Sequence, residues 1–190
     1  MTGELVIVRH ADTDWTVSGQ HTGRTDLPLN DAGRAKALGL RPLLSGRSFA
    51  AVWSSPLSRA RETAQLVGFA PEERRELLEW DYGAYEGLTT AQIHEQRPGW
   101  DLWRDGCPDG EDAADLGRRA DALLATLPPH GDVLVFSHGH MLRVLTARWL
   151  CLPAADGALF ALAPGAVGVL AYEHARRVLQ AWGEQAVVAR

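Results

Sequence analysis

The run Leu5-Val6-Ile7-Val8, followed directly by Arg9-His10, constrains this chain more than any other stretch. Unbroken aliphatic residues leave no polar side to alternate with, so the run reads as a parallel strand covered on both faces. Its carboxyl end delivers Arg9 and His10 to a surface. A second run, Val133-Leu134-Val135-Phe136, leads into Ser137-His138-Gly139-His140. In open α/β sheets, ligands bind in the crevice beyond the carboxyl ends of the strands. A lone histidine is more often structural than chemical. Two buried strands that each end in one point to a shared crevice.

With 46% hydrophobic content, 190 residues suffice for one core, and a single domain over 1–190 is expected. A net charge of -5 argues against a nucleic-acid surface, so any positive charge must act locally. No basic-then-apolar leader follows Met1 and no apolar run approaches the length of a membrane span, which favours a cytoplasmic protein without a membrane partner. Cys107 and Cys151 fit neither a disulfide framework nor a metal pair.

Residues 11–28 read as a long irregular loop, which in a compact domain is commonly functional. Its hydroxyls and glycines suit wrapping an anion with backbone N–H groups. Asn30 is expected to cap a helix to about Leu44, with Ala32, Ala35, Leu38 and Leu43 facing inward. A short strand, Ala50-Ala51-Val52-Trp53, then leads to a helix with Ser55 as N-cap and Pro56 at the first position. Arg59 falls in the opening turn, where helix termini attract anions. Glu79, Asp81 and Glu86 lie among Trp80, Tyr82 and Tyr85, and carboxylates among aromatics can meet the condition for a general acid. Thr89 caps a short helix to about Gln96. The aromatic stretch Pro98 to Gly110 reads equally as a cover over the crevice or as a packing loop. An amphipathic helix over Glu111 to Leu127, a helix from about Met141 to Leu150, and strands near Leu159–Leu162, Val167–Tyr172 and Val178–Trp182 complete the chain. An exposed edge near Leu159 or Val178 offers a place for a homodimer to pair.

Arg9, Arg59, His10, His138 and a nearby carboxylate on one rim make a phosphate pocket by composition, because guanidinium forks match phosphate oxygens. A metal held by His10, His138 and His140 is the competing use. Arg9 would repel a dication there, and no Asp or Cys completes a ligand spacing, so no metal is expected.

These motifs resemble the histidine phosphatase superfamily, which includes the cofactor-dependent phosphoglycerate mutases. The resemblance is carried by Arg9-His10-Ala11-Asp12-Thr13, Gly23-Arg24-Thr25-Asp26-Leu27-Pro28-Leu29, Ser54-Ser55-Pro56-Leu57-Ser58-Arg59-Ala60, Glu79-Trp80-Asp81-Tyr82-Gly83, Gly110-Glu111 and Ser137-His138-Gly139. More narrowly, residues 78–83, 103–108 and 137–140 resemble an actinobacterial branch of broad-specificity acid phosphatases. The resemblance implies a three-layer α/β/α sandwich with a mostly parallel central sheet and an antiparallel edge strand. It also implies phosphomonoester hydrolysis of a small phosphorylated metabolite, without cofactor, in which His10 becomes a phosphohistidine. Arg9, Arg59 and His138 would then hold the equatorial oxygens, and Glu79 would act as acid and then base. Thr16, Thr22, Gly23 and Gly139 would line the substrate pocket.

Ala11 replaces the family's signature glycine, which is expected to add a methyl beside the nucleophile. Thr16 stands where asparagine is usual. Two other readings compete with hydrolysis. Mutase-type phosphoryl transfer is disfavoured because the chain ends soon after its last expected strand, with no tail to exclude water. A non-catalytic phosphoprotein-binding domain is disfavoured because His10, Glu79 and His138 are all kept.

Overall fold

The computed structural model describes residues 3–185. The first half of the chain forms β1 (Leu5–Arg9), α1 (Asp14–Ser18), α2 (Asp31–Gly39), α3 (Arg41–Leu44), β2 (Ala51–Ser54), α4 (Ser58–Val67) and β3 (Glu72–Glu73). The second half forms α5 (Thr90–Gln96), α6 (Leu102–Asp105), α7 (Ala113–Leu124), β4 (Val133–Ser137), α8 (Gly139–Trp149), β5 (Val167–Glu173) and β6 (Arg176–Glu184). Among the described residues, no helix is long and apolar enough to cross a membrane.

One sheet runs in the order β3-β2-β4-β1-β5-β6. β1 lies inside it, parallel to β4 on one side and antiparallel to β5 on the other. Its side chains explain the absence of alternation. Leu5 and Ile7 enter a cluster with Leu116 and Leu123 of α7 and Leu142 and Leu145 of α8. Val6 and Val8 enter a cluster on the other face with Leu40, Leu44, Ala64 and Val67. Helices therefore cover both faces, which is the expected α/β/α arrangement. Each fully buried aliphatic side chain contributes about 1.5–3 kcal/mol, so neither face of β1 tolerates a polar residue cheaply. At this end of the sheet the pairing is antiparallel: β5 runs opposite to β1, and the edge strand β6 runs opposite to β5 and so in the direction of β1.

Several local expectations need correction. The helix capped by Asn30 ends near Leu40, and Pro42, which lacks an N–H, sits in the first turn of α3. The buried residues across α2 and α3 are Gly33, Ala37, Leu40 and Leu44, whereas Ala32, Ala35, Leu38 and Leu43 face outward. On α2 the approach is close: a Cβ on Gly33 would sit 2.1 Å from the Asp12 carbonyl oxygen. Residues 11–28 contain α1, closed by a capping box between Thr13 and Thr16. No strand forms at Leu159–Leu162; a 3-10 turn occupies Ala154–Leu159, and the Leu162 carbonyl instead accepts a hydrogen bond from Arg9.

The N-cap of α4 is Leu57, not Ser55. The Ser55 hydroxyl accepts the Leu57 N–H at 3.3 Å, and Asp26 Oδ1 accepts both the N–H and the hydroxyl of Ser58 at 2.7 Å. A carboxylate of this chain thus already occupies the helix terminus expected to attract an anion.

Candidate active site

The parallel pairing of β1 with β4 brings their carboxyl ends together. The His10 N–H donates to the Ser137 carbonyl at 2.9 Å, and the rings of His10 and His138 meet edge-on with centroids 5.2 Å apart. His10 is 3% exposed. Its Nδ1 lies 2.7 Å from the Ala11 carbonyl, which can only accept, so Nδ1 carries the proton and Nε2 presents a lone pair. Burial, with the charges of Arg59 and Arg9 added to it, holds the His10 pKa well below its ordinary value. The imidazole is therefore neutral and nucleophilic at neutral pH.

A cleft of about 200 Å³ opens over this residue. Arg9, Glu79 and Gly139 line it beside His10. Arg9 Nη1 donates to the Leu162 carbonyl at 2.5 Å, while its buried Nε has no partner. A Cβ on Gly139 would lie 3.1 Å from the Arg9 guanidinium carbon, so only glycine lets this side chain fold over the start of α8 without displacement. Glu79 is held at that same helix terminus. Its Oε1 accepts the N–H groups of Trp80 and Met141, both at 2.9 Å, and Oε2 accepts that of His140 at 3.1 Å. Arg119 braces the segment from behind, donating to the backbone carbonyls of Glu76, Leu78 and Glu79.

Arg59 and His138 do not line the cleft as the sequence leads one to expect. Arg59 is fully buried and donates to the carbonyls of Thr25, Thr22 and Gly23 at 2.9, 3.1 and 3.0 Å. Its Nε donates to His138 Nδ1 at 3.2 Å, so His138 Nε2 carries the ring proton and donates to Ser55 Oγ at 2.8 Å. Burial, then Arg59 and the neighbouring His10, keep the His138 pKa well below its ordinary value.

Thr16 and Thr22 line the cleft, but Gly23 does not. The Gly23 N–H is committed to Glu86 Oε1 at 2.8 Å, and a Cβ there would meet the Trp80 carbonyl at 2.5 Å, so its role is close packing of the loop. The Thr16 hydroxyl serves the α1 capping box. The Ala11 methyl does not crowd the nucleophile; it is buried in a small cluster with Leu29 and Ala37.

The cleft wall also includes His21, Tyr82, His140 and Arg143, to which the sequence assigns no substrate role. The Tyr82 hydroxyl lies 2.6 Å from His140 Nδ1. Burial, with the nearby Glu79 charge, raises the Tyr82 pKa well above its usual value, so the phenol keeps its proton and donates it to Nδ1. Helical periodicity offered a signal for Arg143, which follows Gly139 by four residues and thus shares its face of α8. Trp15 also lines the cleft, whereas Tyr85 packs on Trp100 in the core and Trp103 lies in an adjoining groove with His94 and His140. Among the described residues, no group of three or more His, Cys, Asp or Glu side chains is placed to hold a metal ion.

This geometry has counterparts in known proteins. An acid phosphatase of Mycobacterium tuberculosis is 42% identical, covering 94% of this chain and 91% of that protein. A sedoheptulose 1,7-bisphosphatase of Saccharomyces cerevisiae is 35% identical, covering 80% of this chain and 69% of that protein. The solved structure of a Mycobacterium tuberculosis open reading frame superimposes with a TM-score of 0.93 at 40% identity, covering 98% of this chain and 100% of that one. The model for the histidine phosphatase superfamily (branch 1) matches residues 5–185. With its neutral histidine at the end of the central strand, the chain belongs to the histidine phosphatase superfamily, branch 1.

Proposed function

We propose that this protein hydrolyses phosphomonoesters of small metabolites through a phosphohistidine at His10 Nε2. The observation that carries this reading is the hydrogen bond from His10 Nδ1 to the Ala11 carbonyl, which fixes the tautomer and aims a lone pair at the cleft. In the first step Nε2 bonds to phosphorus as the bond to the ester oxygen breaks, and Glu79 gives that oxygen its proton. In the second, water attacks phosphorus, Glu79 takes a proton from it, and the P–N bond breaks to release phosphate. Arg9 neutralises the phosphoryl charge from the cleft wall. Arg59, which is buried behind the nucleophile, adds positive charge without contact. The scheme requires neither metal nor cofactor.

The names of the relatives, an acid phosphatase and a bisphosphatase, favour hydrolysis over mutase-type transfer. The presence of both His10 and Glu79 on one cleft favours catalysis over phosphoprotein binding. Phosphate release from an aryl phosphate tests the reading. The His10→Ala variant is expected to be slower by about 1000-fold or more, and equal rates for the two proteins would leave binding as the better account. Efficient isomerisation of 3-phosphoglycerate in the presence of a catalytic amount of the bisphosphate, with little free phosphate, would favour transfer instead.

A further inference from the structure

The cleft wall carries a second arginine, Arg143, that the hydrolytic scheme leaves unused. Arg143 Nε donates to the Gly157 carbonyl and Nη2 to the Ala158 carbonyl, both at 3.0 Å, and the guanidinium stacks on Trp103 at 4.6 Å. These contacts fix its orientation without neutralising it. No carboxylate forms a salt bridge with Arg143 among the described residues, whereas Arg24, Arg34, Arg47 and Arg119 all have acidic partners. Its third nitrogen, Nη1, makes no hydrogen bond there. A rigid, half-buried cation with one unused edge on a cleft is the arrangement by which proteins recognise carboxylate and phosphate oxygens.

Arg9 and Arg143 share this cleft, and Arg143 follows Gly139, on which Arg9 rests, by one turn of α8. Because both side chains line one cleft of about 200 Å³, a ligand that meets the two cations together is a small one. Burial, reinforced by the charge of Arg9, lowers the Arg143 pKa, while Glu79 opposes that shift. A second anion would relieve the repulsion that remains.

We propose that Arg143 binds a second anionic group of the substrate, so that the preferred substrates are short-chain phosphomonoesters that also carry a carboxylate or another phosphate. The proposal rests on the phosphatase reading above and names its substrate class. Trp103 holds the guanidinium flat, and the two carbonyl bonds set the direction of the free edge.

Two matched substrate pairs test it on the intact protein. Glycerol 3-phosphate against 3-phosphoglycerate isolates a carboxylate, and fructose 1-phosphate against fructose 1,6-bisphosphate isolates a second phosphate. The wild type should favour the more anionic member of at least one pair in kcat/KM, and the pair identifies which anion is read. In Arg143→Gln that preference ratio should fall by about 10- to 100-fold, and Arg143→Lys, which keeps the charge without the fork, should give an intermediate ratio. Because a poorly folded variant loses both members of a pair alike, the ratio separates recognition from folding. An unchanged ratio in both pairs, or a wild type with no preference in either, would overturn the proposal. Failure of the wild type on all four compounds and on an aryl phosphate would instead overturn the phosphatase reading, and this proposal with it.

Discussion

Two arginine–histidine pairs stand back to back at the carboxyl ends of neighbouring strands, and their surroundings are opposite. In the rear pair, every nitrogen of Arg59 and His138 is committed to a protein partner. In the front pair, His10 has a free Nε2 and Arg9 has a buried Nε without a partner. The same residue types thus serve two ends. With four of the five Arg59 N–H donors bonded to the protein, the rear pair is a charged backing that holds the loop of residues 22–25, and the sparser bonding of the front pair leaves capacity for a ligand.

The comparison breaks most visibly at Arg59. Removing it in Arg59→Met strands three buried carbonyls and one imidazole nitrogen, and should cost about 3–5 kcal/mol of stability by denaturant titration. At Arg9 the balance should reverse. Arg9→Met is expected to change stability by no more than about 1 kcal/mol while lowering kcat/KM for an aryl phosphate by about 100-fold. Comparable stability losses at the two positions would erase the distinction between backing and ligand site.

Acid sharpens the same contrast. Burial depresses the pKa values of His10, His138 and His140 in the folded protein. Below about pH 6.5 the unfolded chain therefore binds protons that the folded chain refuses. Stability contributed by these groups is complete above that pH. It is lost as pH falls toward the folded values, by up to about 1.4 kcal/mol per pH unit for each histidine. Because catalysis needs His10 neutral, the acid limb of kcat/KM should lie below pH 6.5. An acid limb at or above the ordinary histidine value would show that His10 titrates as though exposed.

The smallest effect is expected at Ala11. Its methyl belongs to the packing around Leu29 and Ala37, so Ala11→Gly should cost about 0.5–1 kcal/mol of stability and leave kcat/KM within about twofold. A marked gain in activity would restore the view that the methyl crowds the nucleophile.

The buried strands and their terminal histidines are legible in the sequence because a strand covered on both faces has a distinctive composition. The motifs then identify Arg9, His10 and Glu79 as the wall of a phosphate site. Long-range geometry accounts for what the sequence conceals. The inner face of α2 combines the buried Ala37 with a close approach of Gly33 to Asp12 that no hydrophobic pattern encodes. Asp26 occupies the terminus of α4 from a distant loop. The withdrawal of Arg59 from the cleft depends on carbonyls more than thirty positions earlier in the chain, and no local pattern announces such partners.

The antiparallel entry of β5 beside β1 has a consequence for how the chain completes its site. The segment from Leu162 to Ala166 reaches the top of the first strand, where it receives bonds from the Arg9 side chain and main chain and where the Gly165 N–H lies within reach of the carbonyls of Arg9 and His10. A ribosome that has made the nucleophile must therefore add some 150 further residues before that nucleophile is fully braced. A truncated product stopping short of this turn would carry the reactive histidine without its support.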